Sequence, residues 1–190
     1  MSPPALVPSP AARPRAPAAP LVVALLAALA AGAAAVAAPD RASAQGSACN
    51  AAPRPGVDFR RCLLDGRDLT GADLTGAVLR DASLSRARLP GAKLAGVDAP
   101  DARFTSAAME GADLTEATLR GADFTRADLR RATFARADLR GARLFRADLA
   151  GADFTGAQIA GADFSGATLD GARWVDGARV CGEGSVGTCQ

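Results

Sequence analysis

The chain has 190 residues, with 22 lysines and arginines, 20 aspartates and glutamates, and neither histidine nor tyrosine. Without histidine there is no imidazole general base, no Ser-His or Cys-His nucleophile pair and no histidine metal ligand. The nearly balanced charge argues against a nucleic-acid binder, which should be basic, and against an acidic mimic of nucleic acid. We therefore expect a protein that is not an enzyme and uses neither cofactor nor metal.

The start of the chain has the order of a secretory signal. Arg13 and Arg15 precede an apolar run, residues 21–38, and the small residues 42–44 (Ala-Ser-Ala) follow it, so that cleavage would leave Gln45 first. This order predicts a signal peptide and a mature protein that is periplasmic or secreted from a bacterium, with no stable membrane insertion after cleavage.

Three alternatives to this cleavage stay open. The 18 apolar residues reach the lower limit for spanning a bilayer, so the segment would also serve as an uncleaved anchor. A cut after Ala38 is the second alternative, and lipidation of Cys49 is the third, although the preceding residues 46–48 lack the expected leucine. Removal of residues 1–44 leaves 19 basic and 19 acidic residues, so the mature charge is near zero.

A period of five residues dominates the rest of the chain. From Leu74 to Trp174 in steps of five, 20 of 21 positions hold a large apolar residue, and Ala99 is the exception. Two positions before each of these, 20 of 21 residues are alanine, and Val97 is the exception. Both exceptions fall in one unit, where the large and the small residue have exchanged places, so the core volume is nearly kept.

The residues between these positions carry turn chemistry. The residue between the small and the large one is aspartate in nine of the 21 units, and glycine fills twelve of the corner positions from Gly71 to Gly171. Aspartate hydrogen-bonds to nearby backbone, and glycine accepts a positive φ. An amphipathic helix needs apolar residues every three to four positions and a strand needs them every two, so a period of five fits neither. The period therefore predicts a coil with short sides.

Units such as residues 112–116 (Ala-Asp-Leu-Thr-Glu) and 152–156 (Ala-Asp-Phe-Thr-Gly) resemble the A-(D/N)-L-x-x motif of the pentapeptide-repeat family. The resemblance implies an all-β fold, a right-handed quadrilateral parallel β-helix with four units in each coil. The frame extends over residues 57–176, which corresponds to about six coils. Residues 45–56 are then an N-terminal cap segment and residues 177–190 a C-terminal cap or tail.

All four cysteines follow the predicted signal, which fits an oxidising compartment and two disulfides. A disulfide requires Cα atoms within about 7 Å, and the two ends of a rod are several times further apart. We therefore expect the local pairs Cys49 with Cys62 and Cys181 with Cys189.

When every twentieth residue is aligned, two columns of arginine are expected on one side of this rod. The candidate partner-binding residues are Phe145, which should point outward, and six arginines of these columns: Arg80, Arg86, Arg120, Arg126, Arg140 and Arg146. A solvated face paired with aspartates is the simpler interpretation. The alternative is a site for an acidic partner.

The sequence favours an exported interaction scaffold whose partner is an unknown acidic protein or an envelope polymer. The ends of the rod, where core edges are exposed, are where we expect a homodimer contact. The alternative function, protection of DNA gyrase by imitation of duplex DNA, is that of the best-known proteins of the family that the repeat resembles. The near-zero charge and the export signal oppose that alternative, because imitation of phosphates needs a strongly acidic surface.

Overall fold

The structure, a computed structural model, describes residues 49–190. The predicted signal peptide and the first residues of the predicted N-terminal cap lie outside the described residues. From Asp58 to Arg173 one residue in every five forms a parallel bridge with the residue twenty positions along the chain. The chain therefore winds as a β-helix with four sides in each turn, in which every rung is a single residue wide.

The four ladders of bridges define the sides to which we refer below. Side 1 contains Asp58, Val78, Asp98, Thr118, Asp138 and Gln158. Side 2 contains Leu63, Ser83, Arg103, Asp123, Arg143 and Asp163. Side 3 contains Asp68, Arg88, Ala108, Asp128, Asp148 and Thr168, and side 4 contains Asp73, Lys93, Asp113, Thr133, Asp153 and Arg173.

Backbone hydrogen bonds hold neighbouring coils together and close each corner. The Phe59 N–H donates to the Val78 carbonyl (2.8 Å), and the Val78 N–H donates back to the Val57 carbonyl (2.9 Å). At the corner the Cys62 N–H donates to the Phe59 carbonyl (3.0 Å), and Arg61 between them has a φ of 57°. A positive φ at the third residue is what a type II turn requires, which is why glycine is frequent there.

The interior is filled by the small and large residues of the repeat, as the five-residue pattern predicts. Almost all of them are completely buried, including the exchanged pair Val97 and Ala99. Aromatic rings stack along the C-terminal half, with centroid distances of 4.9 Å between Phe104 and Phe124 and 5.1 Å between residues 134 and 154, both phenylalanine. Stacked rings in successive coils bury large apolar areas and stabilise the interior.

Each end of the rod carries one disulfide. Cys49 and Cys62 have Cα atoms 5.4 Å apart, and Cys181 and Cys189 have Cα atoms 4.8 Å apart, so the structure holds both of the predicted local pairs. Arg67 occupies a small-residue position of the first coil, and its guanidinium donates to the Cys49 carbonyl (2.8 Å). This contact adds to the N-terminal cap.

The C-terminal tail turns back and covers half of the last coil. Val180 and Val186 form antiparallel bridges with Arg173 and Thr168, so the tail lies under sides 3 and 4. On sides 1 and 2 of the same coil, the Ile159 N–H donates no backbone hydrogen bond to a described residue. The homodimer contact at a rod end stays a prediction, and this half-open edge is where it would form.

Candidate partner-binding surface

The two arginine columns lie at the two edges of side 2. The column from Arg60 to Ala160 runs along the corner between sides 1 and 2, because each member follows a side 1 bridge residue by two positions. The column from Gly66 to Gly166 runs along the corner between sides 2 and 3. The coil register thus brings the six candidate arginines to one side of the rod.

Two of these six arginines already have carboxylate partners on side 1. The Arg80 Nε atom lies 2.5 Å from Asp98 Oδ2, and Arg140 Nη2 lies 2.6 Å from Asp138 Oδ2. The hydrogen bond from Arg140 lowers the pKa of Asp138 below its usual value. Arg80 and Arg140 therefore form part of the solvated, charge-paired face that was the simpler interpretation of the sequence.

Arg120, between them in the same column, forms no ion pair with a described residue. Thr118 takes the place relative to Arg120 that Asp138 has relative to Arg140, and Asp138 itself bonds to Arg140. Arg120 borders an open groove of about 440 Å³, whose walls also include Asp98 and Pro100. Arg120 is exposed beside this groove, whose walls also include Asp101.

In the second column, Arg86, Arg126 and Arg146 are exposed and form neither an ion pair nor a side-chain hydrogen bond with any described residue. Their φ angles are 58°, 58° and 55°, in the left-handed region where a side chain is disfavoured and glycine fits best. Among the described residues no ion pair or hydrogen bond accounts for arginine at these corners, and the backbone conformation does not favour it.

Two further arginines were missed by the sequence analysis, which followed only the corner columns. Arg103 and Arg143 lie in the bridge ladder of side 2 itself, and both are exposed and unpaired among the described residues. The same alignment of every twentieth residue, started from Leu63, would have found them. Arg143 brings a third arginine to the stretch of side 2 between Arg140 and Arg146.

Most arginines elsewhere on the rod are paired with carboxylates, and Arg67 and Arg173 donate to backbone carbonyls. Arg130 Nη2 lies 2.6 Å from Asp128 Oδ2 and 3.3 Å from Glu110 Oε2, while Arg136 Nη2 lies 2.7 Å from Glu116 Oε1. In residues 57–176, every arginine with neither an ion pair nor a hydrogen bond from its guanidinium to a described residue lies on side 2 or at its edges. They are Arg86, Arg103, Arg120, Arg126, Arg143 and Arg146, and we call them the side 2 arginines.

Phe145 lies at the edge of side 2 and is partly buried. The Cζ atom of Arg146 is 5.1 Å from its ring centroid, which is within the range of a cation-π contact. This contact places an aromatic ring beside the second arginine column. It is the apolar part of the candidate surface that the sequence predicted.

Within residues 49–190 there is no group of three or more cysteine or acidic side chains arranged to hold a metal ion. Over the same residues, no helix is both long enough and apolar enough to cross a membrane.

Comparison with known proteins agrees with the repeat. The family model described as "Pentapeptide repeats" matches in eight copies, over residues 58–96, 82–121, 101–136 and 137–173. No curated protein matches the chain.

Several solved structures are similar to the chain. QnrB1, a plasmid-mediated fluoroquinolone resistance protein, is 28% identical over 60% of this chain and 61% of its own, with a TM-score of 0.39. A pentapeptide repeat protein of the Arabidopsis thaliana thylakoid lumen is 29% identical over 66% of this chain and 77% of its own (TM-score 0.37). HetL of Nostoc sp. strain PCC 7120 is 30% identical over 64% and 67% (TM-score 0.29). With the family model matching residues 58–173, the chain belongs to the pentapeptide-repeat family.

Proposed function

We propose that this protein is an exported, non-enzymatic scaffold, a right-handed β-helical rod of about six coils, whose side 2 binds an acidic protein or an anionic envelope polymer. The observation that carries the proposal is the distribution of ion pairs. On or beside sides 3 and 4, Arg88, Arg130, Arg131 and Arg136 have carboxylate partners. On side 2 and its edges, by contrast, only four of ten arginines have a carboxylate partner, and the six side 2 arginines have none among the described residues.

Unpaired arginines in neighbouring coils carry an electrostatic cost. Arg126 and Arg146 occupy the same corner one coil apart, about 4.8 Å along the rod. Like charges at this spacing repel each other unless an anion lies between them. Because the β-helix holds the backbone rigidly, a partner with several negative groups would bind with little loss of conformational entropy.

Protection of a topoisomerase, the second candidate, is less well supported. It would require a surface that imitates the phosphates of DNA, and the surface distinguished by its unpaired charges is basic. QnrB1 is described as a fluoroquinolone resistance protein, but that description applies to QnrB1. Export, which the predicted signal favours, would also separate this protein from the chromosome.

A pull-down from the envelope fraction tests the proposed function. Replacement of Arg120, Arg126, Arg143 and Arg146 by glutamine should abolish recovery of the partner and leave the fold intact, because all four side chains are exposed and form no ion pair within residues 49–190. Wild-type binding should also weaken as salt rises, since exposed charges are screened over about 10 Å at 0.1 M salt.

The matched control removes the same charge from other sides of the rod. It replaces Arg88, Arg130, Arg131 and Arg136 by glutamine, four arginines that lie away from side 2 and have carboxylate partners. This variant should recover the partner as wild type does. If the two variants and wild type recover the same proteins equally well, side 2 is only a solvated face.

A further inference from the structure

Side 2 also carries an exposed apolar side chain that an acidic partner alone does not explain. Leu63, the first residue of the side 2 ladder, is 79% exposed, and no other large hydrophobic side chain within residues 57–176 is as exposed. Phe145 lies at the edge of the same side, four coils further along. Apolar groups therefore stand near both ends of the surface that holds the side 2 arginines.

The shape of this surface is flat. A side of the coil is only a few residues wide, and the six rungs from Leu63 to Asp163 extend over about 24 Å at the usual spacing between strands. Within this ladder Leu63, Arg103, Arg143 and Asp163 are exposed, Asp123 is half-buried and Ser83 is buried, so apart from the groove beside Arg120 no deep cleft interrupts the surface. A planar partner would meet arginines from several coils at once.

A bilayer with anionic lipids matches the three features of side 2, which are its flatness, its arginines and its exposed apolar side chains. The bilayer is planar, its phosphates accept hydrogen bonds from guanidinium groups, and its interface takes up leucine and aromatic side chains. A soluble polyanion without apolar groups would satisfy the arginines but would leave Leu63 in water. The combination of Leu63, Phe145 and the side 2 arginines thus favours the membrane over such a polyanion.

We propose that side 2 is a peripheral membrane-binding surface that lies flat on an anionic bilayer, with the side 2 arginines on lipid phosphates and Leu63 and Phe145 in the headgroup layer. This inference rests on the proposed function of side 2 as an anion-binding surface, and it names anionic lipid as the ligand in place of an acidic protein or a polymer. The rod remains outside the hydrocarbon core, because each of its exposed guanidinium groups would be costly to bury there.

Co-sedimentation of the full chain with vesicles tests the inference. The protein should bind vesicles of phosphatidylcholine with about a third phosphatidylglycerol, should not bind phosphatidylcholine alone, and should be released by high salt. The Arg120, Arg126, Arg143 and Arg146 to glutamine variant should bind the anionic vesicles roughly a hundredfold to a thousandfold more weakly, at the usual contribution of a basic residue near an anionic surface.

The controls separate a membrane from other anions. The Arg88, Arg130, Arg131 and Arg136 to glutamine variant should bind within a few-fold of wild type, and Leu63→Asn with Phe145→Asn should weaken vesicle binding while the arginines are intact. Equal losses for the two arginine variants, or no binding to the anionic vesicles, would overturn the inference.

Arginine-dependent recovery of a soluble acidic protein without vesicle binding would leave the proposed function standing and remove only the membrane as its partner. If low concentrations of inorganic phosphate at constant ionic strength released the protein from the vesicles, side 2 would hold a site for free phosphate. That result would also overturn the membrane inference.

Discussion

Replacement of Phe124 by serine should lower the free energy of unfolding by about 3 to 5 kcal/mol, the usual range for loss of a buried phenylalanine ring. Phe124 is fully buried in the middle of the rod, where it stacks on Phe104 at 4.9 Å and meets the edge of Phe134 at 6.0 Å. The substitution removes both contacts, opens a cavity and leaves a buried hydroxyl without an assured partner. Chemical denaturation followed by circular dichroism would measure the loss.

Phe145 provides the matched control, because it is the same residue type at an outward position of a neighbouring coil. Phe145→Ser should cost no more than about 1 kcal/mol, since its described aromatic contact is the cation-π pair with Arg146. Similar losses for the two variants would show that the assignment of inward and outward positions is wrong.

Removal of the N-terminal disulfide should cost about 3 kcal/mol, the value expected for a loop of this length from the entropy of the unfolded chain. The bond joins residues separated by 13 positions and ties the segment before the first coil to an inward position of that coil. Because alanine occupies this inward position in most other units, Cys49→Ala with Cys62→Ala removes the cross-link and keeps a suitable side chain in the core. The measurement is the midpoint of denaturant unfolding without reductant.

The effect of the bond should be separable from the effect of the alanines. Addition of a reductant should lower the stability of the wild type more than that of the double variant, in which only the Cys181–Cys189 bond remains to be reduced. Non-reducing peptide mapping should give the two local pairs. A peptide that joins Cys49 or Cys62 to Cys181 or Cys189 would contradict the arrangement of the ends.

Much of this architecture was predictable because the same residue types recur at equivalent positions in every unit of the repeat. The inward alternation of alanine with a large residue identified the buried positions, and even the exchanged unit at Val97 and Ala99 is completely buried. The four sides of the coil were not predictable from the period alone, since five residues define a side and its corner but not how many sides make a turn. That number came from the resemblance to the family.

The ion pairs could not be predicted, because they depend on which of two nearby carboxylates a flexible guanidinium selects. Arg80 reaches forward to Asp98 in the next coil, whereas Arg140 pairs with Asp138 in its own coil. Because Asp138 pairs with Arg140, Arg120 has no ion pair with a described residue. The sequence also could not predict that the tail turns back onto sides 3 and 4, since residues 177–190 lie outside the repeat and have no periodic pattern.

The most direct test of the central claim is arginine-specific chemical modification, mapped by mass spectrometry, of the free protein and of the protein bound to its partner or to anionic vesicles. In the free protein, Arg86, Arg120, Arg126 and Arg146 should react faster than Arg130 and Arg136, whose guanidinium groups are held by carboxylates. On binding, protection should appear at the side 2 arginines and leave the reactivity of Arg130 and Arg136 unchanged. Protection centred on Arg130 and Arg136, or uniform reactivity in both states, would contradict a binding surface on side 2.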